Sequence, residues 1–309
     1  MQALFDIILP VFFVIGFGYV VSWRGVFSEQ AVDGLVRFAQ NFAIPCLLFK
    51  AIAAIDLDAA INAPLIFAYY TGTFTCFGIG FVGAKVLFKR NTVDATAIAF
   101  CCFFSNSVLL GLPITERAFG QEALSGNYAI IAFHAPLCYL IGVSAMEIVR
   151  NKGASIGKRG LRVLDSMFHN PIVIGIGLGI VVNVMAIPIP TSIRSGVDIM
   201  ALAALPAALF SLGGVLYRYR PEGDSRTIAM ICTISLVVHP VIIWGTGTAF
   251  ALDQDDFRSA LMTATMAPGV NAYMFATMYG AAQRVVASSV LVSTALSILT
   301  IWLWLLILP

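Results

Sequence analysis

Pro10-Val-Phe-Phe-Val-Ile-Gly16-Phe-Gly18-Tyr-Val-Val21 and Pro171-Ile-Val-Ile-Gly175-Ile-Gly177-Leu-Gly179-Ile-Val-Val182 carry one pattern twice, 161 residues apart. The same offset aligns Ile44-Pro45-Cys-Leu-Leu-Phe49 with Leu205-Pro206-Ala-Ala-Leu-Phe210. Two segments that agree on one offset point to an internal duplication. Each copy reads as five membrane spans, and five is odd, so the second copy must enter the bilayer in the opposite sense. Inverted repeats of this kind suit secondary transporters, because exchanging the conformations of the halves turns an outward-open state into an inward-open one.

Composition supports membrane spans. Of the 309 residues, 60% are hydrophobic and 11% charged, and the mean hydropathy is +0.92, too apolar to cover a water-soluble globule. A net charge of +2 gives no reason to expect nucleic acid as a partner. The six cysteines sit in apolar stretches without zinc-ligand spacing and read as small core hydrophobes. The apolar run from Ala3 to Trp23 is long enough to span a bilayer and lacks a basic leader region, so it is read as a retained first helix.

With about 20 apolar residues per span, the expected fold is an all-α membrane protein of ten transmembrane helices. The spans fall near 3–23, 29–52, 62–88, 94–116, 125–148, 170–188, 194–216, 227–252, 259–279 and 284–308. The domain division is residues 1–150 for the first five-helix repeat, 151–169 for a cytoplasmic linker and 170–309 for the inverted second repeat. Alternate loops hold 13 of the 18 basic residues, including Lys85, Lys89, Arg90 and the cluster Arg150 to Arg162. By the positive-inside rule those loops are cytoplasmic and both termini face outward, periplasmic or extracellular. A bacterial inner membrane is the expected location.

Two spans carry interruptions. The fourth contains Ser105-Asn106-Ser107-Val-Leu-Leu-Gly111-Leu-Pro113, and the ninth contains Ala267-Pro268-Gly269-Val-Asn271. Proline removes a backbone donor and glycine relaxes the chain, so a break is expected at Gly111/Pro113 and at Pro268/Gly269. Paired interruptions in two halves are the best sequence pointer to a transport site. Unpaired backbone groups at membrane depth cost several kcal/mol each unless they line a cavity or find polar partners. Half-helix N-termini offer N–H groups and partial positive charge to a carboxylate, and Asn106 and Asn271 add amides.

These segments, together with Asn41-Phe-Ala-Ile-Pro45 and Ser293-Thr294-Ala-Leu-Ser297, resemble the auxin efflux carrier family in a compact bacterial form, over essentially the whole chain. The resemblance implies ten helices, the fourth and ninth crossing as broken helices. It also implies transport of small organic anions, auxin-like monocarboxylates or malate- and malonate-like dicarboxylates. It makes Asn41 a second-tier substrate contact beside Asn106, Gly111, Pro113, Pro268, Gly269 and Asn271. Only about 20 residues, Arg150 to Asn170, replace the long central loop of the large plant carriers, so regulation through such a loop is not expected.

Other polar residues carry weaker signals. Asp33 and Arg37, four apart, are expected to pair on one helix face. Asp198 is the leading carboxylate for coupling to an ion gradient. His134 and His239 titrate near physiological pH and are the proton-coupling candidates, although packing is the commoner use of a span histidine. Sodium held by backbone carbonyls stays open, as does a homodimer. No phosphate loop, metal cluster or nucleophile with a base is legible, so no cofactor, no metal and no enzymatic activity are expected. The alternative reading is a membrane sensor that binds a metabolite without moving it. Without an appended soluble signalling domain in the sequence, that reading stands second.

Overall fold

A computed structural model describes residues 2–54, 62–150, 171–219 and 224–308, and among these the chain is helical, with one isolated β-bridge. The helices are α1 (Gln2–Trp23), α2 (Glu29–Phe38), α3 (Ile44–Ala54), α4 (Ala63–Val86), α5 (Thr92–Phe103), α6 (Leu112–Phe119) and α7 (Ser125–Arg150). They continue as α8 (Pro171–Val184), α9 (Thr191–Arg218), α10 (Ser225–Thr233), α11 (His239–Ala249), α12 (Gln254–Ala264), α13 (Val270–Tyr279) and α14 (Gln283–Ile307). Seven helical stretches among the described residues are long and apolar enough to cross a membrane. Two of the seven, Glu29–Ala54 and Ser225–Ala249, run through a π-helical turn. The remaining expected spans are not continuous helices of that length. The fourth divides into α5 and α6, the ninth into α12 and α13, and the sixth is the 14-residue α8.

The chain forms two compact units that cut across the sequence halves. One comprises Met1–Ile8, Ala63–Val163 and Tyr219–Pro309, and the other comprises Leu9–Asn62 and Leu164–Arg218. Each draws helices from both halves.

Glycine governs the smaller unit. A Cβ on Gly18 would strike the Phe210 carbonyl, and one on Gly213 would strike the Ile15 carbonyl, so α1 and α9 touch backbone to backbone. A Cβ on Gly179 would lie 3.0 Å from the Phe49 carbonyl oxygen, and one on Gly175 2.6 Å from that of Pro45, which presses α8 onto α3. Small residues permit this approach where dispersion must replace the hydrophobic effect. Two of the contacts are reciprocal: the 161-residue offset pairs Gly18 with Gly179 and Phe49 with Phe210, and Gly18 meets Phe210 while Gly179 meets Phe49. Both contacts fall at positions that the offset makes equivalent.

The same unit corrects one pairing. Asp33 binds Arg218, not Arg37: Arg218 Nη1 reaches Asp33 Oδ1 at 2.8 Å while Nη2 donates to the Glu29 carbonyl at 2.6 Å. The planar guanidinium takes both acceptors at the start of α2, which an i,i+4 partner on the same helix cannot reach together.

In the larger unit, prolines are absorbed by π-helical turns or by distant donors. A helical proline at position i frees the carbonyl at i−4. Pro240 frees Leu236, within the π-helical turn Ile234–Val238, and Trp304 Nε1 of α14 donates to that carbonyl at 3.1 Å. The Asp6 and Ile7 carbonyls near the start of α1 accept from Arg117 at 2.7 and 3.2 Å. Five of the six cysteines are buried and Cys46 is half-buried, all unpaired, in keeping with core packing.

Candidate functional site

The two broken spans meet in the larger unit. Helix α5 ends at Phe103, and Phe104 to Asn106 run non-helical beside Ala267 to Gly269 of the second break. Ser105 and Pro268 face each other in an antiparallel bridge. The Asn106 N–H donates to the Ala267 carbonyl at 2.8 Å, and the Gly269 N–H donates to the Phe104 carbonyl at 2.9 Å. Both ladder bonds come from residues flanking the facing pair, so Pro268 occupies a position where no N–H is required. Each break thus satisfies the other's backbone, as a buried interruption must be satisfied.

After the bridge both chains turn helical. The π-helical turn Ser107–Gly111 leads into α6, and α13 starts at Val270. Because the strands are antiparallel, the two half-helices leave in opposed directions with both N-terminal ends at the crossover. Leu110 is the first donor of its half-helix to find an intrahelical acceptor, the Asn106 carbonyl at 3.2 Å. The N–H groups of Ser107, Val108 and Leu109, and those of Val270 and Asn271, are the leading donors of the two helix ends. Neither Asn106 nor Gly269, the capping residues, closes its helix with a side chain.

Asn106 is 5% exposed, and its Nδ2 has no hydrogen-bond partner among the described residues. A buried amide donor costs about 1–3 kcal/mol when left unpaired. Asn271 lies in the first turn of α13, half-buried. Gly269 allows the Phe104 ring to approach, since a Cβ there would lie 3.3 Å from Phe104 Cδ1.

The first break lies upstream of its expected position. Gly111 is helical, with φ −64° and ψ −53°, and Pro113 stands in the first turn of α6. The interruption is at Phe104 to Asn106, where the chain pairs with the second break, while the carbonyl clash of Pro113 is taken up by the π-helical turn before it. Gly111 and Pro113 shape the half-helix from buried positions, and Gly111 packs toward Met266.

A buried polar network backs the bridge. Tyr69 Oη lies 3.0 Å from Ser105 Oγ, and His134 Nε2 lies 3.5 Å from the same hydroxyl, the long end of a hydrogen bond. His134 Nδ1 faces Cys138 Sγ at 3.8 Å. On the other side of Tyr69, His239 Nε2 meets Thr73 Oγ1 at 3.1 Å. Both imidazoles touch the Tyr69 ring, at 5.9 and 5.8 Å between centroids. Tyr69 and Ser105 were not legible as site residues: the pair is 36 residues apart, and its only trace is a run of hydroxyls, Tyr69-Tyr70-Thr71 to Thr73, within an apolar helix.

The other sequence candidates lie in the smaller unit. Asn41 is exposed on the π-helical turn Ala39–Ala43, which precedes Pro45. Asp198 is bound to Lys50 at 2.7 Å, with both side chains more than a third exposed. An ion pair that exposed is a surface feature worth little to stability.

The profile of a family described as "Membrane transport protein" matches residues 3–305. Among curated relatives, a protein of Rhizobium meliloti (strain 1021) named "Putative malonate transporter" is 23% identical over 97% of this chain and 94% of its own length. "Auxin efflux carrier component 5" of Arabidopsis thaliana is 21% identical over 88% of this chain and 86% of its own. "Lysosomal cholesterol signaling protein" of Mus musculus is 25% identical over 99% of this chain and 38% of its own length.

Proposed function

Because the chain belongs to the membrane transport protein family, that of the auxin efflux carriers, we propose that it is a secondary transporter that carries small organic anions by alternating access at the crossover. The observation that carries this reading is the buried, unpartnered Nδ2 of Asn106 at the point where two half-helix N-termini meet. Backbone donors, two partial positive charges and a free amide donor match a carboxylate. Mono- and dicarboxylates are the substrate class, and the names of the R. meliloti and A. thaliana relatives support it.

The architecture under this reading is ten spans in two inverted repeats, residues 1–150 and 170–309. The reciprocal Gly18–Phe210 and Gly179–Phe49 packing supports it, as does a break in each half. The location is a bacterial inner membrane with both termini outside. A cysteine placed at Gly157 should then react with an impermeant reagent only from the cytoplasmic side, and labelling in intact cells would overturn the orientation.

The site is tested by Asn106→Ala and Asn271→Ala. Each removes a hydrogen bond to a charged group, worth about 1.5–3 kcal/mol, so affinity for a bound carboxylate should fall roughly tenfold or more. Melting temperature should change little, since the Asn106 Nδ2 has no protein partner among the described residues to lose and Asn271 is only half-buried. Unchanged affinity in both variants would sink the crossover site. A second reading, a metabolite sensor without transport, draws on the name of the M. musculus relative. Uptake of labelled malonate or indole-3-acetate into proteoliposomes separates the two, because a sensor binds without flux.

A further inference from the structure

Resting on the crossover reading above, we propose that His134 takes up a proton when the anion binds, so that anion and proton load together and cross as a near-neutral pair. The buried polar residues among those described are serines, threonines, two asparagines and two histidines, His134 and His239, with no Asp, Glu, Lys or Arg. The imidazoles are therefore the buried side chains whose ordinary pKa lies near neutrality. Of the two, His134 is one hydroxyl away from the bridge, through Ser105, and its ring lies 4.9 Å from that of Phe104. His239 is held by Thr73 on the far side of Tyr69.

The charges require each other. Two half-helix ends supply roughly half a positive charge each, enough to hold a carboxylate locally, but a helix dipole carries no net charge, so the loaded site still has the anion's negative charge to carry across the bilayer. An imidazolium buried without an anion nearby is costly in turn. Among the described residues, the ionisable groups on the elements packed against His134 are few, and Glu147 and Arg150 lie more than three turns away at the end of its own helix. From α4 come the phenols Tyr69 and Tyr70, the latter ring at 6.4 Å, and from α7 itself comes the thiol of Cys138. Of the other packed elements, α5 carries the buried thiols Cys101 and Cys102, with Asp94 in its first turn, and α12 carries Asp255, Asp256 and Arg258 near its start. Ser107–Gly111 has no ionisable side chain. Thiols and phenols are neutral at pH 7.

The proton step is a simple balance. In the neutral state Ser105 O–H donates to His134 Nε2, with the ring hydrogen on Nδ1 toward Cys138. A proton from solvent on the loading side adds to Nε2. The new Nε2–H then donates to Ser105 Oγ, whose own hydrogen turns toward the crossover. On release the same proton returns to solvent on the other side. By linkage the anion must raise His134's proton affinity as much as the proton raises the anion's.

The test is calorimetric binding of malonate and of indole-3-acetate to the full-length protein, in buffers of different ionisation heat between about pH 5 and pH 8. The wild type should take up close to one proton per anion near neutrality, with affinity rising by up to about tenfold per pH unit lowered. His134→Gln should abolish the uptake and leave only the ligand's own titration, which is common to every variant. Asn271→Ala should weaken binding at every pH yet keep the proton count, which separates the amide's role from that of the imidazole. Absence of uptake by the wild type overturns the proposal. So does undiminished uptake by His134→Gln with a normal melting temperature, and His134→Asn serves if that variant does not fold. Failure of both probes to bind the wild type removes the crossover reading itself, and this inference with it.

Discussion

The two units handle the backbone in opposite ways. In the smaller unit the helices close on one another by deleting side chains, so that Gly18 and Gly213 let α1 and α9 meet carbonyl to Cα. In the larger unit the helices open, and polar groups from far along the chain come to the freed backbone: Trp304 to Leu236, and Ala267 and Phe104 to Asn106 and Gly269. The tightest glycine contacts described there are with side chains, as where Gly142 makes room for Phe100. A helix pair interrupted at membrane depth leaves donors that a ligand can use, and that is the more expensive arrangement to keep.

This contrast is easiest to break at Gly213. Replacing Gly213 by Leu puts a side chain where the Ile15 carbonyl and the Tyr19 amide lie, and backbone cannot step aside as a side chain does. Overpacking costs about 1–3 kcal/mol even where neighbours can move, so loss of folded protein is the expected result in a thermal-unfolding assay. Gly16, two residues from Gly18 on the same helix and so on another face, has nothing within 4 Å of its would-be Cβ. Gly16→Ala should therefore be neutral or stabilising by about 0.5–1 kcal/mol, as for a helix-interior glycine in open space. Equal effects at Gly16 and Gly213 would show that close contact is not what holds the unit.

In the larger unit the corresponding test is Trp304→Phe, which keeps an aromatic ring and removes the donor to Leu236. A buried carbonyl left without a partner should cost about 1–3 kcal/mol. Adding Pro240→Ala returns a backbone N–H at the place where the carbonyl was freed, so the double variant should recover about 1 kcal/mol of that loss. A double-mutant cycle on melting data measures the coupling. Strict additivity would mean that Trp304 contributes through packing alone.

Much of the fold was legible because its signals are local. Hydropathy marks the spans, and the 161-residue offset anticipates glycines that turn out to pack reciprocally. Pro268 and Gly269 mark the second break where it occurs. The first break was misplaced by several residues, because a proline in a helix has two outcomes and the sequence around Pro113 does not choose between a π-helical turn and a rupture. What decides is pairing with a segment more than 160 residues away. The same limit hid Tyr69 and Ser105, and it made Arg37 rather than Arg218 seem the partner of Asp33. Asn106 and Asn271 were legible as amides beside a break, but the unpaired Nδ2 of Asn106 follows only from three-dimensional burial.

The smallest expected effect lies at the rim of the larger unit, where the backbone is served by a half-buried charge instead of a buried dipole. Asp224 caps α10: Thr227 Oγ1 donates to Asp224 Oδ2 at 2.7 Å, the Arg226 N–H donates to Oδ1 at 3.1 Å, and Arg90 Nη2 reaches Oδ2 at 3.1 Å. The Thr227 hydrogen bond first, and then the Arg226 amide and Arg90, hold its carboxyl below the usual carboxylate range. A folded-state pKa below the unfolded value contributes stability that is complete above the ordinary carboxylate pKa of about 3.9 and disappears as pH falls through the depressed value. Asparagine caps a helix about as well as aspartate, so Asp224→Asn removes the charge and leaves the cap. The melting difference between wild type and Asp224→Asn should be small and constant from about pH 5 to pH 7 and vanish below the carboxylate range. Because Arg90 and Asp224 stay half-exposed, added salt should weaken the part that comes from Arg90 and spare the part that comes from the buried Thr227. A difference that salt abolishes completely would assign the whole effect to the ion pair, and one that persists into strong acid would show that the charge does not contribute.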